Sequence, residues 1–269
     1  MTRLGVCGWP VAHSRSPAMH NAALAALGLR DWRYQKLPIP PEAFEATVRA
    51  LAGAGFRGVN VTIPHKEAAL AVADTASDTA RAVGAANTLT FGNGGSIHAD
   101  NTDVQGLLDA LGPDRQPRGT RVLVLGAGGA GRAVVYALVQ AGAADVMVWN
   151  RTPERAERLC EQLGGRAVRG AEPADLIVQC TSVGLKDPQE PFKRLPLAAD
   201  TFETGISVVD LAYRADGTAF LAAARRRGAD VIDGLEVLVG QGAIALEHWT
   251  GRPAPREVMR RAVTDKPTP

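Results

Sequence analysis

A chain of 269 residues, 46% hydrophobic and 22% charged, buries a substantial core and lies near the upper limit for a single one, so two compact units are expected. Its formal charge of +2 comes from 30 basic and 28 acidic residues spread along the chain, which excludes the basic footprint of a nucleic-acid binder. The absence of a long apolar run and of a basic, apolar leader argues against a membrane span and a signal peptide, while Cys7, Cys160 and Cys180, widely spaced and without a CxxC pair, argue against disulfides and zinc and fit reduced thiols in a cytoplasm.

In chain order the pattern predicts a strand at Leu4–Cys7, a helix over Pro17–Leu27, a strand at Trp32–Leu37, a helix over Pro41–Ala52 and a strand at Gly58–Val61. Such alternation points to a largely parallel α/β sheet. A helical stretch from about Asn101 runs into Leu111–Gly119, where turn residues gather, and a domain boundary is expected there. Beyond it follow a strand at Arg121–Leu125, a helix over Gly128–Ala141, a strand at Val146–Trp149 and a helix over Pro153–Leu163. Short strands at Leu176–Gln179, Val208–Leu211 and Val231–Ile232 complete an open sheet, and helices at Leu235–Trp249 and Pro255–Val263 close the chain.

Gly126-Ala127-Gly128-Gly129-Ala130-Gly131 directly follows a predicted strand and opens a predicted helix. In that setting the glycines permit a tight turn and let a dinucleotide pyrophosphate approach the positive end of the helix. The second strand ends in Asn150-Arg151-Thr152, where an NAD site would usually carry an acidic residue for the ribose hydroxyl. Arg151, with Arg155 one turn on, instead suits a 2′-phosphate, and NADP is the expected cofactor.

In the first half, Gly8–Asn21 sets Ser14 and Ser16 between two prolines just before a helix, a place where serine often serves only as a cap. Gly58–Lys66 ends a strand in Asn60, Thr62 and Lys66, in the kind of loop where open α/β sheets place their sites. Asn87-Thr88 and Asp100-Asn101-Thr102-Asp103 add hydrogen-bonding groups and carboxylates suited to a polyhydroxylated ring.

With these segments the chain resembles the shikimate dehydrogenase (shikimate/quinate dehydrogenase) family over nearly its whole length. The motifs are GxPxxHSxSPxMHN at Gly8–Asn21, GxNVTxPxK at Gly58–Lys66, GAxNT at Gly84–Thr88, DNTDxxG at Asp100–Gly106, GAGGAGRA at Gly126–Ala133 and NRT at Asn150–Thr152. The likeness continues through Val209–Tyr213, Asp233-Gly234, Gln241–Ala243 and Trp249–Gly251. It implies two α/β domains: a substrate-binding domain with a mainly parallel sheet over residues 1–110, completed by helices in 235–269, and a Rossmann-type, doubly wound NADP-binding domain over 119–234.

It also implies that Lys66 and Asp103 are the catalytic pair and that Ser14, Ser16, Asn60, Thr62, Asn87, Tyr213 and Gln241 surround the substrate. Cofactor contacts are expected from Gly126, Ala127, Gly128, Gly129, Ala130, Gly131, Asn150, Arg151, Thr152, Arg155, Thr181 and Gly234, with no metal. The implied activity is that of an NADP-dependent oxidoreductase interconverting 3-dehydroshikimate and shikimate, in the cytoplasm, as monomer or homodimer, within chorismate and aromatic amino acid biosynthesis.

Two segments depart from the family pattern: Gln179-Cys180-Thr181-Ser182-Val183-Gly184-Leu185 replaces the frequent Asn-Ala-Thr-Ser, in a loop expected near the nicotinamide, and Glu236-Val237 stands where Gly and Met are common. Competing readings are a quinate/shikimate dehydrogenase of broader specificity, a methylenetetrahydrofolate dehydrogenase-like protein and a non-catalytic nucleotide-binding regulator. Paired serines and the absence of an acidic residue at Asn150 favour the narrower enzyme over the first, the paired serines and the Asp100–Asp103 run favour it over the second, and the presence of Lys66 and Asp103 speaks against the third.

Overall fold

The computed structural model describes residues 1–184, 190–214 and 217–264. In chain order the first part holds β1 (Thr2–Gly8), α1 (Ser16–Ala26), β2 (Trp32–Pro38), α2 (Phe44–Gly53), β3 (Phe56–Val61), α3 (Lys66–Val72), β4 (Thr75–Ala76), α4 (Asp78–Val83), β5 (Thr88–Phe91), β6 (Ile97–Asp100) and α5 (Asp103–Leu111). Then come β7 (Arg121–Leu125), α6 (Gly129–Gln140), β8 (Asp145–Trp149), α7 (Pro153–Leu163), β9 (Arg166–Ala167), β10 (Leu176–Gln179), β11 (Ser207–Asp210), α8 (Ala219–Arg226), β12 (Asp230–Asp233), α9 (Gly234–Thr250) and α10 (Arg256–Thr264). The chain separates into two compact units, Met1–Gly106 with Leu238–Pro269, and Leu107–Val237. No helix among the described residues is long and apolar enough to cross a membrane.

The first unit is built on a sheet of order β2-β1-β3-β5-β6-β4. β1 pairs in parallel with β2 and β3 and is buried from Leu4 to Gly8, as a central strand covered on both faces must be. β2 lies at the edge and alternates, burying Tyr34 between exposed Arg33 and Gln35. The core below gathers Phe44, Val48, Val59, Val61, Leu89 and Ile97. β3–β5 and β5–β6 are antiparallel, so the parallel alternation read from the sequence breaks there. The cause is a hairpin whose turn, Gly92-Asn93-Gly94-Gly95, closes with Gly92 N–H donating to Ser96 O at 2.8 Å.

Gln241 is brought to this sheet by a close approach of two helices. A Cβ on Gly106 would lie 2.7 Å from Gln241 N and 2.8 Å from Gln241 Cβ, so only glycine fits the last position of the DNTDxxG segment. Further along α9, Trp249 donates its indole N–H to Leu89 O at 3.2 Å, which ties that helix to β5.

The second unit is an all-parallel sheet of order β12-β11-β10-β7-β8-β9, two strand–helix series wound outward from β7 and β10. Its core holds Leu123, Leu125, Ile177, Val208, Phe202 and Phe220, with the last two rings edge to face at 5.2 Å.

Candidate active site

In the first unit, the segments after β1 and β3 run side by side: Trp9 N–H donates to Ile63 O at 3.0 Å, and Thr62 N–H to Cys7 O at 2.9 Å. This is the carboxyl edge of parallel strands, where backbone is free to carry side chains into a crevice. Ser14 and Ser16 stand on the first segment, and Ser14 Oγ accepts from Ser16 N–H at 3.3 Å. Ser16 is not the cap of α1, because it is already the first helical residue and the cap position is Arg15, whose side chain makes no capping bond. The hydroxyls of Ser16 and Thr62 therefore have no hydrogen-bond partner among the described residues, which leaves them available to a ligand.

Lys66 opens α3, and the turn before it is fastened by His65, whose buried ring stacks on Phe44 at 4.4 Å and meets Ile39 O through Nε2 at 2.7 Å. Burial holds the His65 pKa below its usual range, against the opposing hydrogen bond to Ile39. Lys66 Nζ donates to Asp103 Oδ2 at 2.5 Å, with the two side chains 12% and 17% exposed. A pair this far from water is well held, and removing either partner leaves a charge without compensation. Asp103 is set at the start of α5, where Asn101 Oδ1 accepts from its N–H at 3.2 Å.

Asn87 joins this pair to the rest. Its Nδ2 lies 2.8 Å from Asp103 Oδ1, 3.0 Å from Thr102 Oγ1 and 3.2 Å from Gln241 Oε1, and its Oδ1 accepts from Thr102 N–H at 2.8 Å. Asn60 supports Asn87 from behind, with Nδ2 donating to Thr88 Oγ1 at 3.2 Å and Asn87 O at 3.3 Å while Oδ1 accepts the Tyr34 hydroxyl at 2.7 Å. These bonds occupy the amide at both ends. Lys66, Asp103, Asn87, Asn60 and Gln241 thus form one connected network, with Ser14, Ser16 and Thr62 on the adjoining segments.

In the second unit, Gly126 lies at φ +114°, and a Cβ on Gly131 would fall 2.0 Å from Gly126 O, so the turn and the helix can meet only with glycine there. α6 starts at Gly129 without a side-chain cap, and a Cβ on Gly128 would meet nothing within 4 Å. Its first N–H groups, including those of Ala130 and Gly131, are thereby left to an anion, which fits the phosphates of a dinucleotide. Asn150 Oδ1 accepts from Ala127 N–H at 3.1 Å, and its Nδ2 donates to Thr152 O at 2.9 Å, fixing the turn to the end of β8. Arg151, Thr152 and Arg155 are exposed beside it, and neither guanidinium has an ion-pair partner among the described residues.

Thr181 stands in the segment after β10, packed against Gly126. Gly234 opens α9 after β12, and Tyr213 lies in the segment after β11. Of the two departures, Gln179 is buried and hydrogen bonded, Val237 is buried, and Leu185 lies outside the described residues.

Three family models match the chain in order: the shikimate dehydrogenase substrate binding domain over residues 6–89, the shikimate/quinate 5-dehydrogenase model over 113–182 and the shikimate 5′-dehydrogenase C-terminal domain over 234–264. A shikimate dehydrogenase (NADP(+)) from one strain of Thermus thermophilus is 47% identical, covering 98% of this chain and 99% of its own. The chain belongs to the shikimate dehydrogenase family.

A second relative in this family, the shikimate dehydrogenase (NADP(+)) of Methanopyrus kandleri, is 43% identical over 97% of this chain and 94% of its own. The crystal structure of the shikimate 5-dehydrogenase from another Thermus thermophilus strain, in complex with NADP(H) and shikimate, superposes with a TM-score of 0.88 at 46% identity, covering 97% of this chain and 98% of that one. The network also includes groups the sequence alone did not single out, Tyr34 above all. The signal was available: a lone tyrosine on the buried face of an edge strand needs a partner for its hydroxyl.

Proposed function

We propose that this chain is an NADP-dependent shikimate dehydrogenase, reversibly reducing 3-dehydroshikimate to shikimate in chorismate and aromatic amino acid biosynthesis, in the cytoplasm. Residues 1–110 with the C-terminal helices bind substrate, and 119–234 bind NADP. The observation that carries this reading is the Lys66–Asp103 pair at 2.5 Å, joined through Asn87 to Gln241 in a nest of uncharged donors and acceptors. The complex of a relative, 46% identical, with NADP(H) and shikimate supports it.

When bound, NADPH supplies the hydride that reaches the ring carbonyl carbon. As the carbonyl oxygen gains charge, the Lys66 ammonium stabilises it and donates a proton from Nζ. Asp103 holds that ammonium by Oδ2, binds the adjacent ring hydroxyl and helps the proton move, while Asn87 fixes its other oxygen. Ser14, Ser16, Thr62 and Gln241 take the remaining hydroxyls and the carboxylate, with Asn60 holding Asn87. The glycine turn Gly126–Gly131, tied by Asn150 to the end of β8, takes the pyrophosphate, Arg151, Thr152 and Arg155 the 2′-phosphate, and Thr181 and Gly234 line the rest of the cofactor.

The test is the rise of the reduced-nicotinamide absorbance band on mixing the protein with shikimate and NADP. Turnover is expected with this pair and should fall sharply when NAD replaces NADP or quinate replaces shikimate. No reduction of NADP by shikimate, or better turnover of quinate with NAD, would overturn the assignment.

A further inference from the structure

Gln179 closes β10 and Asp210 closes β11, opposite one another in the parallel register. Both side chains are buried, 1% and 0% exposed, so each polar atom needs a partner. Gln179 gives its amide to the segment that follows: Oε1 accepts from Thr181 N–H at 2.5 Å, and Nε2 donates to Val183 O at 3.0 Å and to Asp210 Oδ1 at 3.2 Å. Asp210 gathers two more donors, Ala212 N–H at 3.0 Å and the Thr218 hydroxyl at 2.7 Å. Thr218 in turn caps α8, its Oγ1 accepting from Leu221 N–H at 3.2 Å. Burial above all opposes ionisation of Asp210, and the neighbouring Asp233 at the end of β12 adds to it.

The segment held in this way, Cys180–Gly184, packs against the glycine turn: a Cβ on Gly126 would lie 3.0 Å from Thr181 Cγ2 and 3.3 Å from the Cys180 carbonyl carbon. β7 and β10 are neighbours although β8 and β9 separate them in the chain, so the crevice between their carboxyl ends is the point where the winding of the sheet reverses, the place open α/β sheets bind ligands. With Arg151 on the β8 side, a dinucleotide whose pyrophosphate rests on the start of α6 carries its other half, the reacting one, toward β10.

We propose that Gln179 and Asp210 are a buried positioning pair that holds the Thr181–Gly184 segment as the wall against which the reacting half of the dinucleotide is set. This rests on the reading of the chain as an NADP-dependent dehydrogenase. Neither residue touches the reacting atoms, and both act through Thr181 and Val183. Gln179 is also one of this chain's departures from its family's pattern, so the wall is secured here by a residue that the pattern often lacks.

The test compares Gln179→Leu, Asp210→Ala and Asp210→Asn with the unaltered chain. The first two should lower kcat about tenfold while the KM for shikimate stays within about twofold, and Asp210→Asn, which keeps an acceptor toward Gln179, should recover kcat to within about threefold. A second readout needs no turnover: NADP should slow hydrogen exchange at the Thr181 and Val183 amides in the unaltered chain and much less in Gln179→Leu. If Asp210→Ala does not fold, Gln179→Leu removes the same link from the other side. Unchanged kcat in the folded variants, or unchanged NADP-dependent protection of these amides, overturns the proposal. Absence of shikimate oxidation by the unaltered chain would instead overturn the reading beneath it, while the exchange measurement would still decide the role of the pair.

Discussion

Lys66 is both the charge and the proton source of the proposed chemistry, so Lys66→Met should lower kcat by a factor of about 100 or more while shikimate affinity changes little. Isothermal titration beside steady-state kinetics separates the two, and a variant with near-normal turnover removes Lys66 from the mechanism. At Arg151 the expected loss concerns binding. A charge-assisted bond contributes roughly 1.5–3 kcal/mol, so Arg151→Ala should weaken NADP about tenfold to a hundredfold and leave NAD almost unaffected; equal losses for both cofactors would show that Arg151 does not read the phosphate. Asp210 makes a prediction about stability. Burial pushes its pKa up from 3.8 to about 7, so the folded protein binds this proton more tightly than the unfolded chain does. The stability it contributes is complete below the unfolded value and falls as pH rises through about 7. Asp210→Asn should abolish that decline, and parallel denaturation curves for the two proteins between about pH 4 and 8 would contradict it. His20 behaves oppositely: wholly buried against Tyr34, it is held down to about 3, and its ring resonances should not titrate between about pH 5 and 8.

At the scale of elements, each candidate region hangs on a close approach that a methyl group would prevent. Gly131→Ala would drive Cβ to 2.0 Å from Gly126 O, forcing the helix off the turn. Its KM for NADP should rise at least about tenfold, and stability should fall by about 1–3 kcal/mol, while shikimate binding measured without cofactor stays as it was. A cofactor KM unchanged in that variant would mean that the turn does not cradle the phosphates. The same turn was legible in the sequence because its glycines sit between a five-residue apolar strand and a twelve-residue helix, lengths over which periodicity is readable. The strand Arg121–Leu125 and the helix Pro153–Leu163 are likewise where the pattern puts them.

What escaped is short. α4 has six residues, β4 and β9 two each, and α3 and α8 only seven and eight, too few for a repeat to stand out, although Ser77 and Thr218 cap α4 and α8 in the usual way. The network of the candidate site was legible by residue type but not by role. Nothing local separates an Asn60 that faces a ligand from one whose amide is taken up by Tyr34, Asn87 and Thr88, because those partners come from β2, β5 and the segment just before β5.

As a whole, the molecule consists of two units that each bury a core, one around Val59 and Leu89 and one around Leu123 and Phe202, and the proposed function gives substrate to the first and NADP to the second. Each ligand should therefore protect its own unit. In hydrogen exchange, shikimate alone is expected to slow amides within residues 1–106 and 238–264, and NADP alone those within 107–237; shikimate-dependent protection confined to the second unit would contradict the division. The nearly balanced charge fits small-molecule partners rather than a polyanionic one. In the proposed reaction a hydride passes from a nicotinamide to the carbonyl carbon of 3-dehydroshikimate. Reduction with NADPH carrying deuterium at the transferable position tests it most directly, with the shikimate formed analysed by NMR and mass spectrometry. One deuterium, bound to the carbon that held the carbonyl, is the result predicted; shikimate without deuterium, or with it at any other carbon, would contradict direct hydride transfer.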